Sequence, residues 1–245
     1  MKKIIFAIAL AVVATACHRG EEPAAAEQGT LAVRLATTGA VNDESGVTHV
    51  AVPDVQSFGL LISEPSGEEL YRGTVGEYDA TTLYDMGDKL VRIWSGDITV
   101  EGYDKPYFEG EATVTVQGYG IATDVQVDVA VANAALAIET TELFDGYFRT
   151  AEFIVETAHN PSGIAYDATA GLLFVAPAAV TVRCIAEGPT GTKYDLRQTT
   201  PLLEPQRRNI VRFDMQTAGN VQLNISLNDE VIATEVIEVE LNDRA

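Results

Sequence analysis

Among the residues able to do covalent chemistry, Cys17 has the most telling neighbourhood. The stretch "ATACHRGEE", Ala14 to Glu22, sets its thiol behind small residues and ahead of charge. Lys2 and Lys3 open the chain, and Ile4 to Ala16 carry no charge. That run is shorter than the ~20 residues a helix needs to cross a bilayer core, so residues 1–16 read as a signal peptide. Ala14-Thr15-Ala16 suits ordinary cleavage, and the small residues directly before Cys17 also suit a lipobox, with Ala14 where Leu is usual. The lipobox reading makes Cys17 the first mature residue and its sulfur the lipidation site. The expected partner is then the membrane, held through N-terminal acyl chains that contribute about 0.8 kcal/mol per buried CH₂.

The other cysteine, Cys184, shares a face with Val180 and Val182 in "VTVRCIAEG". It reads as a small buried hydrophobe, and a Cys17 to Cys184 disulfide is the competing reading. Residues 17–28, acidic and alanine-rich, read as a flexible tether of about 20 Å on random-coil statistics. Glu21 and Glu22 behind the cysteine resemble the acidic export signal of Bacteroidota lipoproteins. That resemblance implies an outer-membrane, lipid-anchored protein facing the cell exterior; the bland reading of the same residues is a solvated linker.

Catalytic constellations are not evident. His18, His49 and His159 have no second ligand at metal spacing, so no zinc site is expected. "GPTGTK", Gly188 to Lys193, lacks the phosphate-loop spacing and a following helix, and reads as a hairpin turn. "YDMGD", Tyr84 to Asp88, lacks the alternating Asp/Asn of a calcium loop. Abundant carboxylates make any glycosidase-like pair uninformative. No catalytic residue, metal or cofactor is expected. The chain has 16 Lys+Arg against 36 Asp+Glu and a net charge of −20, and losing Lys2 and Lys3 makes it more negative still. Nucleic acid, which requires basic patches, is excluded as a partner.

The elements that must carry any site are strands. "DVQVDVAVA" alternates Val125, Val127, Val129 and Val131 with Asp124, Gln126 and Asp128, and "NVQLNISLN" does the same with Val221, Leu223, Ile225 and Leu227. Such period-two patterns mark one buried and one wet face. Strands are expected at 30–36, 57–63, 90–94, 97–103, 110–117, 151–157, 171–175, 180–186, 210–216 and 231–241. "QGYG", "EGPTG", "TAGN" and "LNDE" supply turns, and only 141–148 suits a helical turn. The fold class is all-β, with two tandem Greek-key β-sandwiches at 29–131 and 132–245.

Between Gly96 and Phe144, the order of a strand ending in Gly102-Tyr103, a Lys105-Pro106-Tyr107-Phe108-x-Gly110 turn, a strand, a Gly hairpin, a valine-alternating strand and the Ala132-Asn133-Ala134 junction is distinctive. It resembles a family of Bacteroidota surface lipoproteins catalogued as a domain of unknown function. "GLLFVAP" and "VTVRC" agree with it, whereas Gly96-Asp97-Ile98 departs from the usual Gly-x-Tyr. The resemblance implies tandem β-sandwiches and surface location, with kinship in organisation to fimbrillin-type pilus proteins, and supplies no catalytic residues.

Three functions follow as expectations. The first is a non-enzymatic surface lipoprotein serving as a structural or adhesive module. The second is a fimbrillin-like pilus subunit or accessory, with protease processing at Arg34 in "TLAVRLAT" so that a neighbouring strand fills the groove; the bland reading of Arg34 is an outward-facing strand residue. The third is glycan capture by ligand-stacking rings. Tyr71, Tyr78, Tyr84, Tyr103, Tyr107, Tyr119 and Trp94 crowd the first unit. Tyr78 and Tyr84 are the rings expected to be exposed, because "GEYDATTLYDMGD" reads as a polar loop; otherwise these rings close sandwich ends.

Overall fold

The computed structural model describes residues 27–44, 46–216 and 221–237. The signal peptide, Cys17, most of the tether, the "TAGN" turn and the end of the last expected strand lie outside the described residues. In chain order the first strands are β1 (Gln28–Thr38), β2 (Ala40–Asp43), β3 (Gly46–His49), β4 (Gly59–Ser63) and β5 (Glu69–Thr74). Then come β6 (Leu83–Asp85), β7 (Gly87–Ser95), β8 (Gly102–Tyr103), β9 (Phe108–Val116) and β10 (Ala122–Val131). β11 (Ala134–Thr140), helix α1 (Glu142–Tyr147), β12 (Thr150–Glu156), β13 (Ile164–Ala165) and β14 (Leu173–Val175) follow. The last are β15 (Thr181–Glu187), β16 (Lys193–Thr199), β17 (Arg208–Gln216), β18 (Val221–Leu227) and β19 (Glu230–Ile237).

The fold is an all-β sandwich fold, and alternation explains it locally. On β10, Val125, Val127, Val129 and Val131 are buried while Asp124, Gln126 and Asp128 are exposed. Seven strands form one sheet in the order β5-β4-β7-β9-β10-β1-β6. Leu31 from β1, Leu60 and Ile62 from β4 and Tyr84 from β6 share one apolar cluster around Phe58 and Phe108. The sheet therefore curls until its two ends face each other. β1 runs parallel to β10 from Thr30↔Ala122 to Thr38↔Ala130, so this pair cannot be joined by a simple hairpin.

A second apolar cluster lies between the six-stranded sheet β19-β18-β17-β11-β14-β8 and the four-stranded sheet β13-β12-β15-β16. There α1 inserts Phe144, which packs 4.7 Å from Phe148 and 6.0 Å from Phe213, ring centre to ring centre. Cys184 is fully buried in this cluster, as its strand pattern predicts, and has no disulfide partner among the described residues.

The expected boundary, between Val131 and Ala132, falls at the end of β10, but packing crosses it in both directions. Ala135 and Phe174 join the first cluster, Tyr103 packs on the second, and β8 pairs with β14 through Leu173↔Tyr103. The continuous strand expected at 97–103 is a correction: only Gly102–Tyr103 is strand. Asp97 accepts hydrogen bonds from the Thr99 amide (2.8 Å) and hydroxyl (2.7 Å), so its side chain folds the segment into a turn.

Candidate functional site

The outward alternation of β7 places Arg92 and Trp94 on the sheet surface, with Val91 and Ile93 turned into the core. Strand register then brings Arg72 to them: Leu61 of β4 is paired with Arg72 of β5 on one side and with Arg92 on the other. Gly59 pairs with Trp94, and a Cβ at Gly59 would sit 2.5 Å from the indole. The absence of a side chain there lets the ring lie across the neighbouring strand. The guanidinium carbons of Arg72 and Arg92 stand 5.8 and 6.0 Å from the indole centre, within cation–π range.

Leu61, Arg72, Arg92, Trp94, Ile98 and Tyr107 line a cleft of ≈ 280 Å³. Arg92 Nη2 donates to the Tyr107 hydroxyl at 3.3 Å, and the same guanidinium is paired with Glu109. Arg72 Nε donates to Glu69 at 2.9 Å. Burial, and then the Glu109 charge, push the Tyr107 phenol above its ordinary value, so it stays protonated and can donate. The Asp97 carboxyl at the rim is held below the usual range by the Thr99 backbone and hydroxyl. The cleft thus combines an apolar floor with fixed donors, each cation already balanced by a carboxylate.

The Lys105-Pro106-Tyr107-Phe108 turn supplies Tyr107 to one wall of this cleft. Asn133, 2 % exposed, clamps the turn: its Oδ1 accepts from the Tyr107 amide at 3.1 Å and its Nδ2 donates to the Lys105 carbonyl at 2.9 Å. The Gln206 amide in turn donates to the Asn133 carbonyl. Gly110 is required where β9 passes β10, since a Cβ would meet the Asp128 carbonyl oxygen at 2.2 Å. The distinctive turn and the Ala-Asn-Ala junction are therefore two halves of one clasp.

A family model for a domain of unknown function, DUF4493, matches residues 27–243. The chain belongs to the DUF4493 family. No curated protein matches this DUF4493 chain. Among solved structures it is similar to a DUF1812 protein of Bacteroides thetaiotaomicron, at 10% identity and TM-score 0.44, covering 86% of this chain and 98% of that one. A candidate cell adhesion protein of Bacteroides fragilis gives 10% identity and TM-score 0.37 over 89% and 100% of the two chains. A fimbrial assembly protein of Parabacteroides distasonis gives 9% identity and TM-score 0.38 over 86% and 98%.

The sequence-derived site residues fare differently in the DUF4493 chain. Cys17 lies outside the described residues. Arg34 projects from β1 with its side chain 71% exposed, 2.9 Å from Asp124. The expected exposure of Tyr78 and Tyr84 is corrected. Tyr84 is 4% exposed, because "LYD" is a strand paired to the start of β1 through Gly29↔Tyr84. Tyr78 is half-buried, its ring 5.1 Å from that of Tyr71 and its hydroxyl donating to the Leu31 carbonyl at 3.0 Å. Burial raises both phenols above their ordinary values. The Tyr84 ring is thus closed to solvent, whereas Tyr78 keeps part of its surface outside the core. Among the described residues, no group of three or more His, Cys, Asp or Glu is arranged to hold a metal.

Sequence reasoning passed over Arg72 and Arg92. The alternation in "KLVRIWS" was enough to put Arg92 and Trp94 on one face, but nothing in the sequence announces that Arg72, two strands away, reaches the same ring.

Proposed function

We propose that this protein is a non-enzymatic, lipid-anchored outer-membrane protein facing the cell exterior, serving as an adhesive module that captures neutral saccharides in the Trp94 cleft. The carrying observation is the joint placement of Trp94, Arg72, Arg92 and Tyr107 around one small concavity on a sheet surface. Glu69 and Glu109 balance the arginines, and the whole chain is strongly acidic. A bare anion would meet these carboxylates, whereas sugar hydroxyls donate to carboxylates, accept from guanidinium and leave an apolar ring face for the floor. The lipobox around Cys17 and the acidic residues behind it support the anchor and its outward display. The test is a glycan array with the intact protein and Trp94→Ala: binding lost in the variant supports the reading, and an array blank for both removes it.

A second reading, a pilus subunit or accessory exchanging strands, is favoured by one observation. β6 covers the free edge of β1 only along Gln28–Thr30, so Arg34 sits exposed beyond that cover. N-terminal sequencing of surface material decides it: a start at Leu35, with ladders on mild denaturing gels, supports assembly, and an acylated Cys17 supports the anchored monomer.

A further inference from the structure

Four large apolar side chains stand exposed where the chain enters β1. Tyr119 is 77% exposed, and Leu83, Met86 and Ile121 are each about half exposed. They come from two separate segments, β6 with the residue that follows it and the turn between β9 and β10, yet all flank Glu27–Thr30. Leu83 pairs with Thr30, the Met86 amide donates to the Glu27 carbonyl at 2.7 Å, the Gly120 amide donates to the Gln28 carbonyl at 2.8 Å, and the Thr30 amide donates to the Ile121 carbonyl at 3.1 Å. Tyr119 also holds φ at 61°, a left-handed conformation that costs a bulky residue of order 1–3 kcal/mol and is kept only when surroundings or function impose it. A strained turn that displays an aromatic ring to solvent is costly twice over.

We infer that this apolar rim is a contact surface for the bilayer: a zwitterionic lipid interface touched by Tyr119, Ile121, Leu83 and Met86 when the protein is anchored. The inference rests on the proposed acylation of Cys17. Ten residues separate Cys17 from Gln28, so the two stand no more than about 40 Å apart even at full chain extension. The lipid attachment point is therefore tethered to the same end of the molecule as the rim. Tyrosine, with an apolar ring and a wet hydroxyl, prefers the headgroup boundary. The nearby acidic groups Glu27 and Asp85 and the overall charge disfavour anionic lipid, so the apolar contact would work by tethered proximity, which keeps the rim at high effective concentration near the interface. Its effect is orientation: with the β1 end against the membrane, the remaining surface is held outward.

The experiment uses Tyr119→Cys in the full lipoprotein, labelled with an environment-sensitive fluorophore and reconstituted in phosphatidylcholine vesicles. Buried Cys184 does not compete for the label. Leu202→Cys, an exposed position in the second half of the chain, is the reference. Blue-shifted emission and quenching by spin-labelled lipid at 119 but not at 202 is the expected result. Equal water exposure at both positions overturns the inference. A blue shift with doubled molecular mass and no lipid quenching overturns it in favour of a second copy. Mass spectrometry of Cys17 reads the anchor separately. The same chain from His18, held on nickel-chelating lipid by a histidine tag, tests the rim even where acylation fails.

Discussion

Asn133 grips Tyr107 by the backbone, its Oδ1 accepting the Tyr107 N–H at 3.1 Å while its Nδ2 reaches the Lys105 carbonyl at 2.9 Å. One buried amide thus holds the turn that supplies Tyr107 to the Trp94 cleft and sits in the link between β10 and β11. Asn133→Ala leaves the buried Tyr107 N–H and the part-buried Lys105 carbonyl unpaired, and destabilisation by about 1–3 kcal/mol is expected from urea unfolding. Asn133→Asp keeps the acceptor but buries a carboxylate against the Lys105 carbonyl, and at least as large a destabilisation is expected.

Glu101 predicts a second coupling. Its carboxylate accepts from the Asn160 side chain at 2.8 Å, the Ala176 amide at 2.9 Å and the Thr157 hydroxyl. All three donors belong to segments C-terminal to the junction. Glu101→Gln turns one acceptor into a donor facing donors. Faster hydrogen exchange at 157–160 and 176, with a lower Tm, is the expected outcome.

Glycine positions separate by what surrounds them. Gly110→Ala forces a Cβ against the Asp128 carbonyl, and a loss of about 1–3 kcal/mol is expected. Gly146→Ala, exposed in α1 with open space around it, should gain about 0.4–1 kcal/mol. Thermal denaturation of the two variants side by side reads both signs.

Cys184 supplies the pH prediction. Burial, and then the Asp195 charge, push its thiol up to about 12 from an ordinary 9.0. The folded state holds the proton more tightly than the unfolded state, so this contribution to stability is intact below pH 9 and is lost as pH rises from there toward 12. At pH 8 an alkylating reagent should label Cys184 only at the rate of unfolding.

Arg72→Ala separates binding from folding. Its pair with Glu69 is exposed, and exposed pairs contribute little to stability. An unchanged Tm with weakened saccharide binding is expected; a fall in Tm without loss of binding would assign Arg72 to the fold alone.

Much of this architecture was legible because alternation is a local property. The valines of "DVQVDVAVA", the inward Cys184 and the helical turn near Phe144 each follow from neighbours in the chain. Tyr84 shows where that logic ends: polar neighbours on both sides suggested a loop, but three residues pairing with the start of β1 were enough to bury the ring. The segment at 97–103 failed for the converse reason, a strand-like composition overruled by one Asp side chain bonding to Thr99.

The sequence by itself determined the strand faces, the strongly acidic composition, and the motif joining the Lys-Pro-Tyr-Phe turn to Ala-Asn-Ala. Only the tertiary structure decided that β1 lies parallel to β10, that β8 crosses to β14, and that Arg72, Arg92 and Trp94 share a cleft. Side-chain alternation is set by adjacent residues, whereas strand order and cross-strand neighbours arise from hydrogen bonds between segments distant in the chain, whose partners no local pattern names.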